Sequence, residues 1–515
     1  MKTATKNTSN TSLELIGSLI TKLRENRGMT QSDLAKKIGT TQSVVARMET
    51  GEQNLSTKTL ARISKALNQE IISFSKGGSV NFKIEGGHKL KGEITVRTSK
   101  NGALGVMCAS LLNKGKTTIK NAPRIEEVFR IIEVMQSIGV VCDWKGNDLV
   151  ITPPKHINTT TIGDQSGAGT RTRSCIMLIG SLIHHSKNFK ISQPGGCRLG
   201  SRTVKPYVYA LENLGVKIET TSEHYHVSHN GLKKDREIVM YEAGDTVTET
   251  VIMAAALVPS RTVIKFASAN YQVQDVCFYL EQAGVRIEGI GTSTLIIHGV
   301  SSIDTDIEYA LGEDPIEAMS LITAAIVTKS SITIERCPID FLELELLKLE
   351  KMGLKYKITK RYVGENGKIK LVDILTQPSE LVALEEKIHA QPYPGLNMDN
   401  LPFFALIGAF ATGETFIHDW VYEERAIYYK ELDRLGVETI LADPHRFYVK
   451  GPAQLKAAEI ICPPALRPSV IIMLGMLAAP GTSILRNVYN INRGYEDLAS
   501  RLNKIGAKIE TFRDL

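Results

Sequence analysis

Along the first 76 residues, apolar positions recur every three or four residues in short blocks, the period of small amphipathic helices. Leu13, Ile16, Ile20 and Leu23 share one face of a segment from Leu13 to Asn26. Thr30 is placed to cap a helix over Gln31–Ile38, and Gly39 to stop it. Thr40 or Thr41 opens a third helix running to about Thr50 and ended by Gly51. Ser56 caps a fourth, with Leu60, Ile63 and Leu67 turned inward. From Val80 the pattern becomes a repeat. An apolar helix rich in small residues, a strand and a second, amphipathic helix alternate, and each second helix runs into a glycine. These glycines (Gly139, Gly215, Gly284, Gly353, Gly436 and Gly506) stand 76, 69, 69, 83 and 70 residues apart. Each is expected to cap its helix in the left-handed region before the next strand begins. The first helices, such as Ala103–Leu112, Val251–Leu257 and Phe403–Phe410, are apolar nearly all round and should be buried. Six such units predict two lobes of three repeats, helices inside and sheets outside.

Composition adds where the chain works. At 515 residues it exceeds what one core organises, so several domains are expected. Apolar residues make up 43 % and charged residues 23 %, as in soluble globular proteins. No apolar run approaches the roughly 18–20 residues of a spanning helix. Met1 to Asn10 lack the apolar stretch of a signal peptide, so a cytoplasmic protein with no membrane partner is expected. The net charge of +7 is uneven: residues 1–76 carry twelve Lys and Arg against six Asp and Glu, a net +6. A polyanion is therefore expected there. The seven cysteines (108, 142, 175, 197, 277, 337, 462) are dispersed, which fits free thiols in a reducing compartment and no metal site.

The run "MTQSDLAKKIGTTQSVVARMETGEQNLSTKTLARISKAL" resembles the Cro and phage-repressor family of helix-turn-helix domains. The resemblance implies that residues 1–76 form a small all-α domain that binds DNA. Gln31 would bond a phosphate, and Thr41, Gln42, Ser43 and Arg47 would face base edges. Gln can pair bidentately with adenine and Arg with guanine. Such domains read two half-sites as a pair, so one copy per chain implies a homodimer.

Two segments of the repeat region carry candidate chemistry. In "TSKNGALG", Lys100 opens a buried helix, where a mobile ammonium joins free backbone donors, a place for phosphate. In "SQPGGCRLGSRTVKPY", glycines give a loop bearing Cys197, whose thiol is expected to be acidified by neighbouring Lys and Arg, and Arg202 is suited to phosphate or carboxylate. This segment resembles the catalytic loop of the enolpyruvyl transferases that act on UDP-N-acetylglucosamine, and the resemblance extends from Val80 to Phe512. It implies a two-lobed α/β (α+β) fold, an inside-out α/β barrel, over residues 80–515. One lobe would hold about 80–100 and 310–515, the other about 101–309.

The same resemblance places Arg173 in "TRTRSC" as a substrate arginine and Asp399 in "GLNMDNLPF" as general base. It supplies Arg425, Arg467 and Arg493 from "YEERAIYY", "ALRPS" and "INRGYEDL", with Cys197 as general acid and Asn101 beside Lys100 as a substrate contact. Asp314 and Glu317 match an acidic pair without a catalytic role. The chemistry explains the set. Phosphoenolpyruvate, here a co-substrate with no cofactor needed, carries phosphate and carboxylate, so several cations must converge on it. Adding a sugar hydroxyl across its double bond takes a base on the hydroxyl and an acid at the methylene carbon. The UDP-sugar acceptor side departs from the family. Thr203, Lys205 and Tyr207 replace Pro, Asp and His; "DTVTETV" (Asp245–Val251) loses the serine and glycine of the diphosphate loop; Ala465 replaces an aspartate. Two other readings stay open: a different acceptor such as shikimate 3-phosphate, and a transferase-fold ligand sensor that regulates transcription.

Overall fold

Residues 17, 20–21, 23–24, 29–53, 55, 57–66, 79–159, 162, 172–193 and 203–513 are described in a computed structural model. The chain divides into two units, Met1–Gly78 and Ser79–Arg513.

In the first unit Thr30 and Asp33 form a reciprocal capping box that starts the helix Gln31–Ile38. Gly39, at φ 68°, ends it in the left-handed region, and Thr41 leads directly into the helix Gln42–Glu49. A third described helix spans Thr57–Ala66. The apolar stripes meet in one small core of Ile20, Leu23, Leu34, Ala35, Ile38, Val45, Met48, Leu60 and Ile63. Leu13, Ile16, Asn26, Ser56, Leu67 and the stretch 67–78 lie outside the described residues.

The second unit obeys its repeat. All six glycines sit at positive φ, between 84° and 104°, where a side chain would be strained. Each follows a second helix: Glu126–Ser137, Lys205–Glu212, Tyr271–Gln282, Glu343–Met352, the 3-10 helix Ala426–Leu435, and Leu498–Lys504. The inner helices are Lys100–Ala109, Leu178–Leu182, Asp245–Ala256, Pro315–Val327, Leu401–Gly408 and Leu466–Ala478. They are buried on nearly every side, as their uniformly apolar sequences require. Among the described residues the strands form six sheets of three to five strands.

Two apolar cores result. One gathers side chains of residues 82–96 and 316–509, joined by Tyr271; the other those of residues 103–311. Strand Val80–Gly86 pairs antiparallel with both Gly481–Arg486 and Lys508–Arg513, so the end of the chain closes the sheet that its beginning opened. The chain crosses between lobes twice, and the crossings lie side by side. Ser99 N donates to Gly312 O at 2.7 Å, Asp314 N to Arg97 O at 2.9 Å, and Thr98 bridges Glu313. The first crossing delivers Lys100 and Asn101 to the cleft between the lobes. Among the described residues no helix is long and apolar enough to cross a membrane.

Candidate functional site

A cavity of about 830 Å³ opens between the lobes of the second unit. The inner helices explain where it lies: Asn101, Thr246, Ile316, Asp399 and Arg467, at or just before the start of five of them, line it, as does Ser174 in the 3-10 turn that leads into the sixth. Helix N-termini carry N–H groups and the positive end of the helix dipole, which favour an anion; Ser99 and Asp314 already cap two of them. The helix Leu466–Ala478 has no side-chain cap, since its N-cap residue is Ala465.

Four cations project into this field in two pairs, each pair held by one carboxylate. Lys100, the first residue of its helix, places Nζ 2.5 Å from Glu127 Oε2, and Arg493 Nε lies 3.5 Å from Glu127 Oε1. Arg467 Nη2 and Arg425 Nη1 lie 3.3 and 3.7 Å from the two oxygens of Asp399. Burial would raise the Asp399 carboxyl, but Arg467, Arg425 and Lys100 outweigh it and hold it below the ordinary aspartate value. Glu127 is treated alike: burial raises it, while Lys100 and Arg493 bring it below the usual glutamate range. Arg425 is 1 % exposed and locked by two hydrogen bonds to buried Asp419, from Nε at 2.6 Å and Nη2 at 2.8 Å. Arg467 Nη1 donates to Tyr495 at 2.8 Å. The Asp399 loop is anchored beneath by Glu345, which accepts from Asn397 N and Asn400 Nδ2.

The opposite wall comes from residues 172–176, 203–207 and 242–247. Arg173 and Thr203 line it. Tyr207 does too, its hydroxyl 2.5 Å from Thr246 Oγ1, whereas Lys205 is absent from the lining. The segment Asp245–Val251, expected as a loop, is instead the first half of the helix Asp245–Ala256. Val247, Thr248, Thr250 and Val251 are buried there, and packing overrides the low helix propensity of their β-branched side chains. Asp245 accepts from Ser268 Oγ at 2.5 Å and Asn270 Nδ2 at 3.0 Å. Asn101 donates to Tyr271 and Gln272 at 2.9 and 3.1 Å, tying the first crossing to the neighbouring repeat. Asp314 caps the helix Pro315–Val327, and Glu317 binds Arg501 and Arg97 N. Cys197 and Arg202 lie outside the described residues. The six described cysteines are free and buried.

Lys100, Asn101, Arg173, Asp399, Arg425, Arg467 and Arg493 thus share one cavity. Sequence reasoning missed Glu127 and Asp419. Glu127 reads as one of two acids opening an amphipathic helix, which the helix dipole alone accounts for. Asp419, six residues ahead of Arg425, carried a weak signal by proximity.

In the first unit Thr41, Gln42, Ser43 and Arg47 are exposed. Ser43 and Arg47 stand one turn apart on a shared helix face. Gln31 is engaged within the domain: it donates to Glu49 at 2.8 Å and accepts from Gln42 at 2.6 Å. The glutamine pair thereby links the two helices of the motif.

Cations paired on two carboxylates, beside helix N-termini between two lobes of buried helices, make a cavity suited to a small anion. Residues 84–514 match the family described as EPSP synthase (3-phosphoshikimate 1-carboxyvinyltransferase), and the chain belongs to that enolpyruvyl transferase family. Residues 20–72 match the helix-turn-helix family. The UDP-N-acetylglucosamine 1-carboxyvinyltransferase of Bradyrhizobium diazoefficiens is 30 % identical over 434 residues, 84 % of this chain and 98 % of the relative. That of a Sulfurovum species is 32 % identical over 430 residues, 83 % of this chain and 98 % of its own. Among solved structures, the enolpyruvyl transferase NikO from Streptomyces tendae shares the fold with a TM-score of 0.73 at 23 % identity, covering 85 % of this chain and 100 % of that one.

Proposed function

We propose that the second unit transfers the enolpyruvyl group of phosphoenolpyruvate to the sugar 3-hydroxyl of UDP-N-acetylglucosamine, releasing phosphate, in the cytoplasm and as the first committed step of peptidoglycan synthesis. The observation that carries this reading is the convergence of Lys100, Arg425, Arg467 and Arg493 on the cavity that also holds Asp399. The names of the relatives support the acceptor. In the proposed reaction Asp399 takes the hydroxyl proton as the sugar oxygen bonds to the central carbon of phosphoenolpyruvate. The methylene carbon takes a proton from the Cys197 thiol. The resulting ketal then loses a methyl proton and its phosphate, which restores the double bond. The cations and helix N-termini hold the phosphate and carboxylate throughout.

A second acceptor is favoured by one observation: Tyr207, Thr246 and Asp245 spend hydrogen-bonding capacity on one another or on Ser268 and Asn270 rather than facing the cavity unpaired. One assay separates the readings: phosphate release from phosphoenolpyruvate with UDP-N-acetylglucosamine, with shikimate 3-phosphate, and with no acceptor. Release that needs the UDP-sugar supports the first reading, and release only with shikimate 3-phosphate replaces it. Phosphoenolpyruvate bound with no release in any arm leaves ligand sensing. We further propose that the first unit binds DNA through Thr41, Gln42, Ser43 and Arg47, with Gln31 near a phosphate, as part of a homodimer.

A further inference from the structure

Glu127 stands on the second helix of the first repeat, in the lobe opposite Arg493. Its two oxygens divide between Lys100 and Arg493, each a residue whose charge suits the phosphate of a small anionic substrate. Arg493 Nε, 3.5 Å from Glu127 Oε1, and Arg467 Nε are buried and make no hydrogen bond among the described residues, so the cation cluster keeps donor capacity for an added acceptor. A buried donor left unpaired is costly, which marks these groups as built for an added acceptor. Asp399 cannot fill that role for Lys100 and Arg493, because its contacts go to Arg425 and Arg467.

We infer that Glu127 is an internal competitor of the substrate: its carboxylate and the incoming phosphate claim the same two cations, and binding exchanges one for the other. The inference rests on the phosphoenolpyruvate reading of the cavity. Three consequences follow from the geometry. Substrate affinity is set below what the cations alone would give. The same competition helps expel product phosphate, since Glu127 returns to Lys100 and Arg493 as phosphate leaves. Glu127 also reaches across the lobes, so exchanging it for phosphate keeps them joined through the ligand instead of through the carboxylate.

The test measures binding of inorganic phosphate and of phosphoenolpyruvate to the full chain by titration calorimetry, in the wild type, Glu127→Gln and Glu127→Asp. Glutamine keeps the shape and removes the charge. Phosphate and phosphoenolpyruvate are expected to bind Glu127→Gln about 10-fold or more tightly than wild type, the usual scale for one charged hydrogen-bonding partner. Turnover is expected to fall through slower phosphate release, with KM for phosphoenolpyruvate falling alongside. Aspartate keeps the charge but loses one methylene of reach toward Arg493, so a smaller tightening is expected, and this arm decides the matter if the glutamine variant does not fold. Weaker or unchanged phosphate binding in the folded variants would overturn the inference and make Glu127 a positioning residue for the two cations. Wild type that binds neither ligand would overturn the phosphoenolpyruvate reading itself, a result distinct from wild-type binding with unaltered variants.

Discussion

Asp399→Asn tests the proposed base where the structure makes opposite demands on one group. Asparagine preserves the side-chain shape and the loop, whose contacts with Glu345 run through Asn397 and Asn400 rather than Asp399. It removes the carboxylate that Arg467 and Arg425 approach at 3.3 and 3.7 Å. If Asp399 takes the hydroxyl proton, kcat should fall roughly 10²–10⁴-fold, the usual worth of a general base. KM for phosphoenolpyruvate should hold steady or fall, because two guanidiniums lose their counter-charge to the protein. A uniform binding contact would instead raise KM with kcat intact. The pH profile adds an independent check. Three cations hold the Asp399 carboxyl below its ordinary value, so it stays ionised as pH falls. The acid limb of kcat/KM, which reports the free enzyme, should therefore lie below the usual carboxylate range. Once phosphoenolpyruvate engages Arg425, Arg467 and Lys100, its negative charges offset theirs and the carboxyl becomes more basic. The acid limb of kcat should then sit at higher pH than that of kcat/KM. Steady-state kinetics of both proteins from about pH 2.5 to 9, with brief exposure at the acid end, reads all of this. Near-normal kcat in Asp399→Asn would remove Asp399 from the mechanism, and coincident acid limbs would refute the electrostatic argument.

Asp275, fully buried and raised by that burial to about 7, should cost stability as pH rises. Above the unfolded value near 3.8 the unfolded state sheds this proton first, so stability falls between about pH 4 and 7. Asp275→Asn, whose amide oxygen can still accept from Tyr309 and Gly312 N, should match wild type in Tm near pH 4 and exceed it at pH 8 by up to about 4 kcal/mol in stability; parallel Tm curves would refute this. Iodoacetamide on the native chain should label Cys197 alone, since burial raises Cys108, Cys142, Cys175, Cys277, Cys337 and Cys462; peptide mass spectrometry showing another site first would contradict it. Binding of the full chain to its own upstream DNA should weaken steeply between 50 and 200 mM salt, and Arg47→Ala should relax base preference; salt-independent binding would exclude a phosphate-contacting interface.

Which parts of this molecule could be read from the chain follows from how far each determinant reaches. A capping box, a glycine forced to positive φ and an all-apolar helix are local conditions, satisfied or failed within about one turn of chain. Thr30, Gly39 and the six repeat glycines therefore mark their elements wherever the rest of the chain goes. The transferase motifs were legible for another reason: "PGGC" and "NMDNLPF" match a known pattern as strings, and the cavity gathers most of the residues they and their companions name. Asp245–Val251 shows the limit of string matching, because a run matched to a loop lies within a helix of this chain. Glu127 shows the limit of periodicity. Nothing within its helix distinguishes it from Glu126, which pairs along the same helix with Arg130. Its partners are Lys100, 27 residues away, and Arg493 in the other lobe. That second pairing exists only because the chain crosses between lobes twice and the strand Lys508–Arg513 returns beside Val80–Gly86, bringing its preceding helices back to the cleft. The carboxylate that competes for the substrate's cations is thus specified by topology rather than by any local signal, and a substitution there would alter substrate affinity while leaving every motif intact.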